Sequence, residues 1–184
     1  AMSLYAAVLW ASLNTASSAE PIKTFDSKQS SALFQVGMRL PIPVNGRFPE
    51  VDGEIIPLPD KQIRVRVHLD ARSLKMSGKP WIQSLTHSSD FLDTSRYPDI
   101  VFISVPIADT VLTTGGRIQG QLSLRGQSRP VDFQMMKSSC QTPGIQCAIE
   151  VNGQLSRRKF GVDAYRLSVR DTIEFHFQLK LKHD

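Results

Sequence analysis

The chain has 184 residues, of which 41% are hydrophobic and 21% charged, and its net charge is +5. This length fits a single domain, and the composition excludes a disordered or fibrous protein. The positive charge would suit nucleic acid or an anionic surface, but the basic residues are spread along the chain and cluster only at Arg157-Arg158-Lys159. Because aromatic residues are not interleaved with that run and no nucleic-acid motif occurs, we expect no nucleic-acid partner. We interpret the basic residues as a solvated face, with a weak attraction to anionic lipid headgroups as the alternative.

Residues 1–19 form an uncharged segment that contains an apolar run from Leu4 to Leu13 and ends in small residues, including Ser17 and Ala19. This pattern is typical of a secretory signal peptide with its cleavage site, although the basic n-region is missing. The run is too short to span a membrane, which takes about 20 apolar residues. We therefore predict an exported, periplasmic protein whose domain covers residues 20–184. The alternative is an N-terminal apolar segment that the mature protein retains.

Most of the remaining chain alternates apolar and polar residues with a period of two, most clearly in Ile63 to Leu69 and Ile173 to Leu181. Successive side chains of a strand point to opposite faces of a sheet, so such segments are half-buried strands. In chain order, the sequence predicts strands over 32–40, 51–56, 60–69, 97–105, 118–124, 131–135, 148–155 and 171–181. The alternation is absent between residues 70 and 95, where Pro80 to His87 is predicted to form a short helix because proline is favourable in a first helical turn.

Eight strands joined mostly by short turns predict an all-β fold, an eight-stranded antiparallel barrel with a short helical insert near residues 80–87. Closing the sheet into a barrel buries one of its faces and removes its edges. A barrel of about eight strands has an interior that side chains just fill or that holds one small ligand. Whether the interior is filled or hollow is therefore the functional question.

The candidate binding residues are apolar side chains that the alternation places on the inner face of the barrel. For most of them taken singly a packed core is the simpler interpretation, but phenylalanine and methionine also line adaptable lipid pockets. Two further candidates on the predicted helix would close one end of the barrel. The complete set is Phe34, Val36, Met38, Val65, Val67, Trp81, Leu85, Ile100, Phe102, Leu122, Phe133, Met135, Phe175 and Phe177.

Cys140 and Cys147 are the only cysteines, and they flank a segment with a Pro-Gly turn. The turn lets the two sulfur atoms approach, so in an exported protein this pattern predicts a disulfide bond. Metal binding is the weaker alternative, because two thiols without a nearby histidine do not make a zinc site. The histidines are scattered and no Glu-x-x-His, Cys-x-x-Cys-His or Gly-x-Ser-x-Gly pattern occurs, so the sequence predicts no metal, no cofactor and no enzymatic activity.

The stretch from Ser88 to Phe102 carries a specific pattern, Ser-x-Asp-Phe followed by Tyr-Pro-x-Ile-x-Phe. Four further groups of segments accompany it, namely Phe34-Gln35-Val36 with 44–48 and Asp52-Gly53, then 67–74, then 120–131, and finally 157–162 with Val169-Arg170-Asp171. Taken together in chain order, these five groups resemble the YceI-like family of bacterial periplasmic proteins over about residues 26–182.

The resemblance implies a lipocalin-like barrel whose elongated apolar cavity takes a polyisoprenoid or similar lipid chain. The sequence departs from the family pattern where histidines are frequent, at Gln29 and Met38, and where an acidic residue is usual, at Lys159. A charged run usual in the family is replaced by residues 81–87. These changes affect polar groups expected near the cavity mouth. They leave undetermined whether the ligand of this chain carries the head group that is usual in the family.

The sequence therefore predicts a non-enzymatic periplasmic binding or carrier protein for a lipid-like molecule, with a polyisoprenoid or another amphiphile as the bound species. The alternative is an envelope interaction protein with a filled barrel, whose partner, by analogy with the family, would be a membrane cytochrome b-type protein. An enzyme acting on a lipid is the third and weakest hypothesis, because no activated nucleophile or acid–base pair is visible. The oligomeric state stays open, with a homodimer as one alternative.

Overall fold

The computed structural model describes residues 20–39 and 44–183, so the predicted signal peptide lies outside the described residues. The described part contains twelve strands and two short α-helices. The strands are β1 (Lys23–Thr24), β2 (Ser31–Met38), β3 (Val44–Phe48), β4 (Asp52–Leu58), β5 (Gln62–Asp70), β6 (Lys75–Met76), β7 (Asp99–Ser104), β8 (Ile107–Ala108), β9 (Gly116–Leu124), β10 (Gln127–Met135), β11 (Ile149–Ser156) and β12 (Val169–Leu179), and the helices are α1 (Pro80–His87) and α2 (Val111–Thr114).

The strands form a single curled antiparallel sheet whose order is β1-β4-β5-β7-β9-β10-β11-β12-β2-β3-β6, with β8 paired to β5. Phe25 makes an isolated antiparallel bridge to Leu181, which joins the β1 edge to the chain just beyond β12. This bridge draws two distant parts of the sheet together and helps to curl it around one interior. The inner side chains of the strands form the hydrophobic core, as the alternating burial along β5 shows.

The all-β antiparallel, lipocalin-like prediction is confirmed, and four short strands add to the eight that were predicted. The additional strands are β1, β3, β6 and β8. The segment Val44–Phe48 lies outside the eight predicted strands, but it pairs with β2, where Gly46 lies opposite Phe34. Two-residue strands such as β6 carry too few positions to show a period, so tertiary pairing alone defines them.

Loops at one end of the barrel meet around a single arginine. The Arg125 guanidinium, in the β9–β10 turn, donates to the backbone oxygen of Ser89 at 2.6 Å and also to that of Gly161. The ring of Phe91 stacks on Tyr165 with centroids 5.6 Å apart. The loop after α1, the β9–β10 turn and the connection between β11 and β12 therefore form one packed surface, which we call the loop end.

The disulfide prediction is confirmed. Cys140 and Cys147 are bonded, with Cα atoms 6.1 Å apart, in the connection between β10 and β11. Gly144 between them adopts a positive φ of 88°, which permits the tight turn, and its amide donates to the Cys147 oxygen at 2.7 Å. Within the described residues, no helix has both the length and the apolar character that crossing a membrane requires.

Candidate functional site

The barrel encloses an apolar cavity of about 50 Å³ between its two walls. Every one of the residues that line it is apolar. They are Val65, Val67, Leu69, Ile100, Phe102, Ile118, Leu122, Leu124, Phe133, Met135, Val151, Leu155, Phe175, Phe177 and Leu179. Such a surface offers no hydrogen-bond partner, so it can accept only a hydrocarbon part of a ligand without leaving a buried polar group unpaired.

A row of six phenylalanine rings runs through the interior and fills most of it. Neighbouring ring centroids along this phenylalanine row are 5.0 to 6.2 Å apart, which is the range of favourable aromatic contacts. In order, the rings are Phe48, Phe34, Phe175, Phe177, Phe133 and Phe102. The last two contacts of the row, Phe177 with Phe133 and Phe133 with Phe102, are edge-on, and all three of these rings line the cavity.

Two glycines make room for these rings, each on the strand next to that of the phenylalanine it faces. Gly46 lies opposite Phe34 in the β2–β3 register, and Gly153 lies opposite Phe133 in the β10–β11 register. A Cβ atom at either glycine would overlap the facing ring. The sheet therefore accommodates large side chains by removing the side chain across from each.

Nine of the fourteen predicted binding residues line the cavity. Six further lining residues, among them Ile118 and Leu155, continue the same alternation on the inner face, so the sequence carried the signal for them. Contact of any of these residues with a ligand stays a prediction.

Five predicted residues lie elsewhere. Phe34 is buried in the phenylalanine row but does not line the cavity, whereas Val36 and Met38 are half-buried near the end of β2. On α1, Leu85 is half-buried and Trp81 is 57% exposed, and neither lines the cavity, so closure of one end by these two residues stays a prediction.

Helix α1 packs against the edge of the sheet for a polar reason that the apolar pattern did not reveal. The Gln83 amide nitrogen donates to the Leu74 oxygen at 2.8 Å, and its amide oxygen accepts from the Met76 amide at 2.6 Å. His87 contacts the Thr94 hydroxyl through Nδ1 at 2.8 Å and the Leu74 oxygen through Nε2 at 2.9 Å. These bonds fix the helix beside β6 and leave Trp81 facing solvent.

Sequence reasoning also missed a buried arginine at the loop end. Arg157 is 1% exposed, and its guanidinium donates to four backbone oxygens at 2.7 to 2.9 Å. The acceptors are the carbonyls of Val162, Ala164, Val169 and Arg170. Burial lowers the pKa of Arg157 from its usual value. The residue thus shapes the loop between β11 and β12, although its sequence context looked like a solvated basic run.

Two aspartates at the ends of strands have shifted acidity. The side-chain hydrogen bond from Arg72 holds the pKa of Asp70 below its usual value. Burial alone would raise the pKa of Asp171, but the Ser156 hydroxyl, which donates at 2.6 Å, and the amide of Arg158, which donates at 3.0 Å, lower it overall. The folded protein therefore stabilises the ionised form of both carboxyl groups relative to the unfolded chain.

A second concavity lies on the outer face of the sheet and has a mixed lining. This groove of about 860 Å³ crosses β10, β11, β12, β2 and β3 between two rows of side chains. The rows contain Gln134, Asn152, His176 and Leu33 on one side, and Gln154, Glu174, Gln35 and Asn45 on the other, and the rings of Phe34 and Phe175 also line the groove. Polar groups are therefore present along both sides of the groove, whereas the lining of the interior is entirely apolar.

Comparison with known proteins places the chain among barrels of the same architecture. A search of curated proteins found no match. Among solved structures, the chain is similar to BcnA of Burkholderia cenocepacia, with a TM-score of 0.67 and 18% identity over 82% of this chain and 94% of that one. It is also similar to a polyisoprenoid binding domain from Saccharophagus degradans implicated in plant cell wall breakdown, with a TM-score of 0.66 and 13% identity over 88% of this chain and 98% of that one.

A YceI protein of Campylobacter jejuni matches with a TM-score of 0.56 and 17% identity, over 76% of this chain and 85% of that one. Identities this low establish a shared fold and nothing finer. The family model for the YceI-like domain, however, matches residues 24–181, which is nearly the whole described barrel. The chain therefore belongs to the YceI-like family.

Proposed function

We propose that this protein binds and carries a lipid-like molecule whose hydrocarbon chain, a polyisoprenoid or a similar chain, enters the interior of the barrel. The observation that carries the proposal is the uniformly apolar lining of the cavity. Phenylalanine and methionine side chains such as Phe177 and Met135 adapt to irregular apolar ligands. The similarity to a polyisoprenoid binding domain supports this ligand class.

The energy of such binding comes from burial of the chain. Each buried CH₂ group contributes about 0.8 kcal/mol, so roughly ten buried carbons contribute about 8 kcal/mol before ordering is subtracted. A net free energy of about 8 kcal/mol corresponds to a Kd near 1 μM, so a chain with more than about ten buried carbons reaches micromolar binding once ordering is subtracted. Such binding needs no strong polar anchor, which agrees with Gln29 and Met38 at two positions where the family resemblance implies histidine.

The phenylalanine row must move for a chain to enter. The free cavity of about 50 Å³ is smaller than the roughly 150 Å³ apolar cavity that holds one benzene molecule. Rotation of rings such as Phe133 and Phe177 would open the space between the walls. Binding is thus coupled to rearrangement of side chains, and the affinity is reduced by the free energy of that rearrangement.

A chain-length series tests the proposal. We expect prenyl alcohols of 10, 15 and 20 carbons to bind with increasing affinity, measured by titration calorimetry at low and high salt, and with little change between the two salt concentrations, because burial of apolar surface is not screened. Affinity that is independent of chain length and falls steeply with salt would overturn the proposal.

The small free volume favours a second candidate, an envelope interaction protein with a filled barrel. Its partner would be a membrane cytochrome b-type protein, and a homodimer is the other assembly to consider. Native mass spectrometry of protein purified from the periplasm distinguishes the two candidates. A co-purifying isoprenoid-tailed molecule supports the carrier, whereas an unliganded mass that stays unchanged after addition of prenyl lipids supports the interaction protein.

Export to the periplasm is part of the same proposal. It is supported by the Cys140–Cys147 disulfide, because disulfides persist in oxidising compartments and are rare in the cytosol. The uncharged apolar segment at residues 1–19 gives independent support from the sequence. Cell fractionation of the native protein, followed by mass analysis of its N-terminus, tests both points, and a cytosolic protein with reduced cysteines would contradict them.

A further inference from the structure

The connection between β11 and β12 exposes an unusual apolar side chain at the loop end. Leu167 is 84% exposed, and its neighbour in the same loop, Tyr165, is 49% exposed. We call residues 161–168 the apolar loop. Single exposed apolar residues are common, but this loop combines its leucine with a fixed conformation and a basic surrounding.

The apolar loop is held rigidly although its tip is exposed. Buried Arg157 donates to the carbonyls of Val162 and Ala164 within the loop and to the two residues that follow it. The amides of Ser168 and Val169 both donate to the Tyr165 oxygen, at 3.0 and 2.9 Å. A loop ordered in this way loses little conformational entropy when its tip is buried by a partner.

Tyr165 adds to this fixed geometry. It adopts a positive φ of 59°, a region that non-glycine residues occupy infrequently, and its ring is stacked on Phe91. The stack supports the base of the loop from the neighbouring connection. Leu167 is therefore presented to solvent by a scaffold of hydrogen bonds and aromatic packing.

Basic residues surround the apolar loop. Residues 157–171 contain five basic and two acidic residues, a net charge of +3. One of the two acids, Asp163, pairs with Arg166 at 3.2 Å, and the other, Asp171, lies 3.8 Å from Arg158. Arg158 and Arg170 also line a depression together with Asp171 and with Arg39, which directly follows the neighbouring strand β2. The loop thus joins an exposed apolar tip to an excess of arginine.

We propose that the apolar loop docks on the surface of a membrane that contains anionic lipids. Leu167 enters the boundary between headgroups and acyl chains, the half-exposed ring of Tyr165 lies at headgroup level, and the surrounding arginines contact lipid phosphates. Tyrosine is enriched at this depth, and basic residues near an anionic surface strengthen binding individually. The surface lies outside the barrel interior and is separate from the proposed lipid-chain site.

A bilayer fits this surface better than a folded protein does. A specific protein interface buries about 800 Å² on each partner around an apolar centre, which is more than one leucine and half of a tyrosine ring provide. A bilayer instead offers an apolar layer beneath a layer of negative charge. The apolar tip and the arginines of the loop match these two layers in character.

Sedimentation with vesicles tests the proposal. We expect the protein to bind vesicles of phosphatidylglycerol and phosphatidylcholine, and to bind vesicles of phosphatidylcholine alone at least tenfold more weakly at low salt. Leu167→Ser should weaken binding to the anionic vesicles about tenfold, the scale of burying one leucine. Arg166→Gln should weaken it roughly fivefold, and should reduce the salt dependence.

The matched control is Ile145→Ser. Ile145 is 38% exposed in the disulfide loop, and its carbonyl accepts from the Lys180 ammonium at 3.4 Å, so it is also an apolar residue beside a basic one. We expect this variant to bind vesicles like the unaltered protein. Equal loss in both serine variants, or unchanged binding in Leu167→Ser, would overturn the assignment to the apolar loop.

Folding and ligand binding separate this proposal from the carrier proposal. Leu167→Ser should keep its thermal unfolding temperature and its affinity for a 20-carbon prenyl alcohol added in solution, because the changed side chain lies outside the cavity. An unaltered protein that shows no vesicle binding at low salt would overturn the docking proposal, whatever the result of the chain-length series.

Discussion

Replacement of Phe133 by alanine tests whether the phenylalanine row occupies the path of a lipid chain. The ring is buried, lines the cavity and contacts Phe102 and Phe177 with centroids 5.0 and 5.8 Å away. Removal of a buried phenylalanine side chain destabilises a protein by about 3–5 kcal/mol. Urea denaturation should show a loss of this size in the free energy of unfolding.

The void left by the ring follows from the same numbers. Lost burial accounts for roughly 2 kcal/mol of the effect. A remainder of about 2 kcal/mol corresponds to some 80 Å³ of unfilled space, at roughly 24 cal/mol per Å³. Together with the existing cavity of about 50 Å³, the space would approach the volume that holds benzene. A chain would then enter without displacing the ring.

Phe133→Ala should therefore bind a 20-carbon prenyl alcohol more tightly than the unaltered protein, by about tenfold, as measured by calorimetry. The matched control is Phe48→Ala. Phe48 is 1% exposed and ends the phenylalanine row without lining the cavity, so its loss should destabilise the fold comparably and leave chain affinity unchanged. If a folded Phe133→Ala protein binds the chain no better than the unaltered protein, the ring does not lie in the path and the reasoning fails.

Three further predictions concern stability. Reduction of the Cys140–Cys147 disulfide should lower the free energy of unfolding by roughly 2–3 kcal/mol, and the same reductant should have no effect on a Cys140→Ser/Cys147→Ser double variant. Arg157→Met should destabilise by about 3–5 kcal/mol and speed proteolysis within residues 161–168, because four backbone carbonyls, two of them in buried hydrogen bonds, lose their donor. Unchanged cleavage there would contradict the role of this residue. The pKa values of Asp70 and Asp171 are lower in the folded state than in the unfolded chain. Their contribution to stability is therefore full above the unfolded value near 3.8 and is lost as the pH falls through the folded values. Asp171→Asn should reduce this loss of stability at acid pH, as measured by urea titrations.

The barrel and its inner face followed from the sequence because strand alternation is a local property. In β5 and β12, for example, the period of two shows which side chains are buried, independently of which strands lie beside them. The same alternation identified most of the cavity lining, including Phe133 and Phe177. The disulfide was predictable for a similar reason, because its two cysteines flank one turn.

The alternation could not show how full the interior is. Free volume depends on which rings face one another across the barrel, and that depends on strand register and curvature. Phe34 in β2 and Gly46 in β3 lie opposite each other, which the alternation within each strand does not reveal. This pairing makes room for the phenylalanine row. A sequence period predicts which side chains point inward, but not whether they leave room for a ligand.

Local alternation and contiguous motifs are enough to predict the fold class, the family and the apolar character of the interior. Tertiary contacts, by contrast, set the burial of Arg157 and the exposure of Trp81. Arg157 belongs to a basic run, yet it is buried because four carbonyls of a later segment surround it. Trp81 is apolar, yet it is exposed because Gln83 and His87 bind α1 to the sheet edge. Both outcomes arise from side-chain hydrogen bonds between residues 5 to 13 positions apart, which the alternation of apolar and polar residues does not encode.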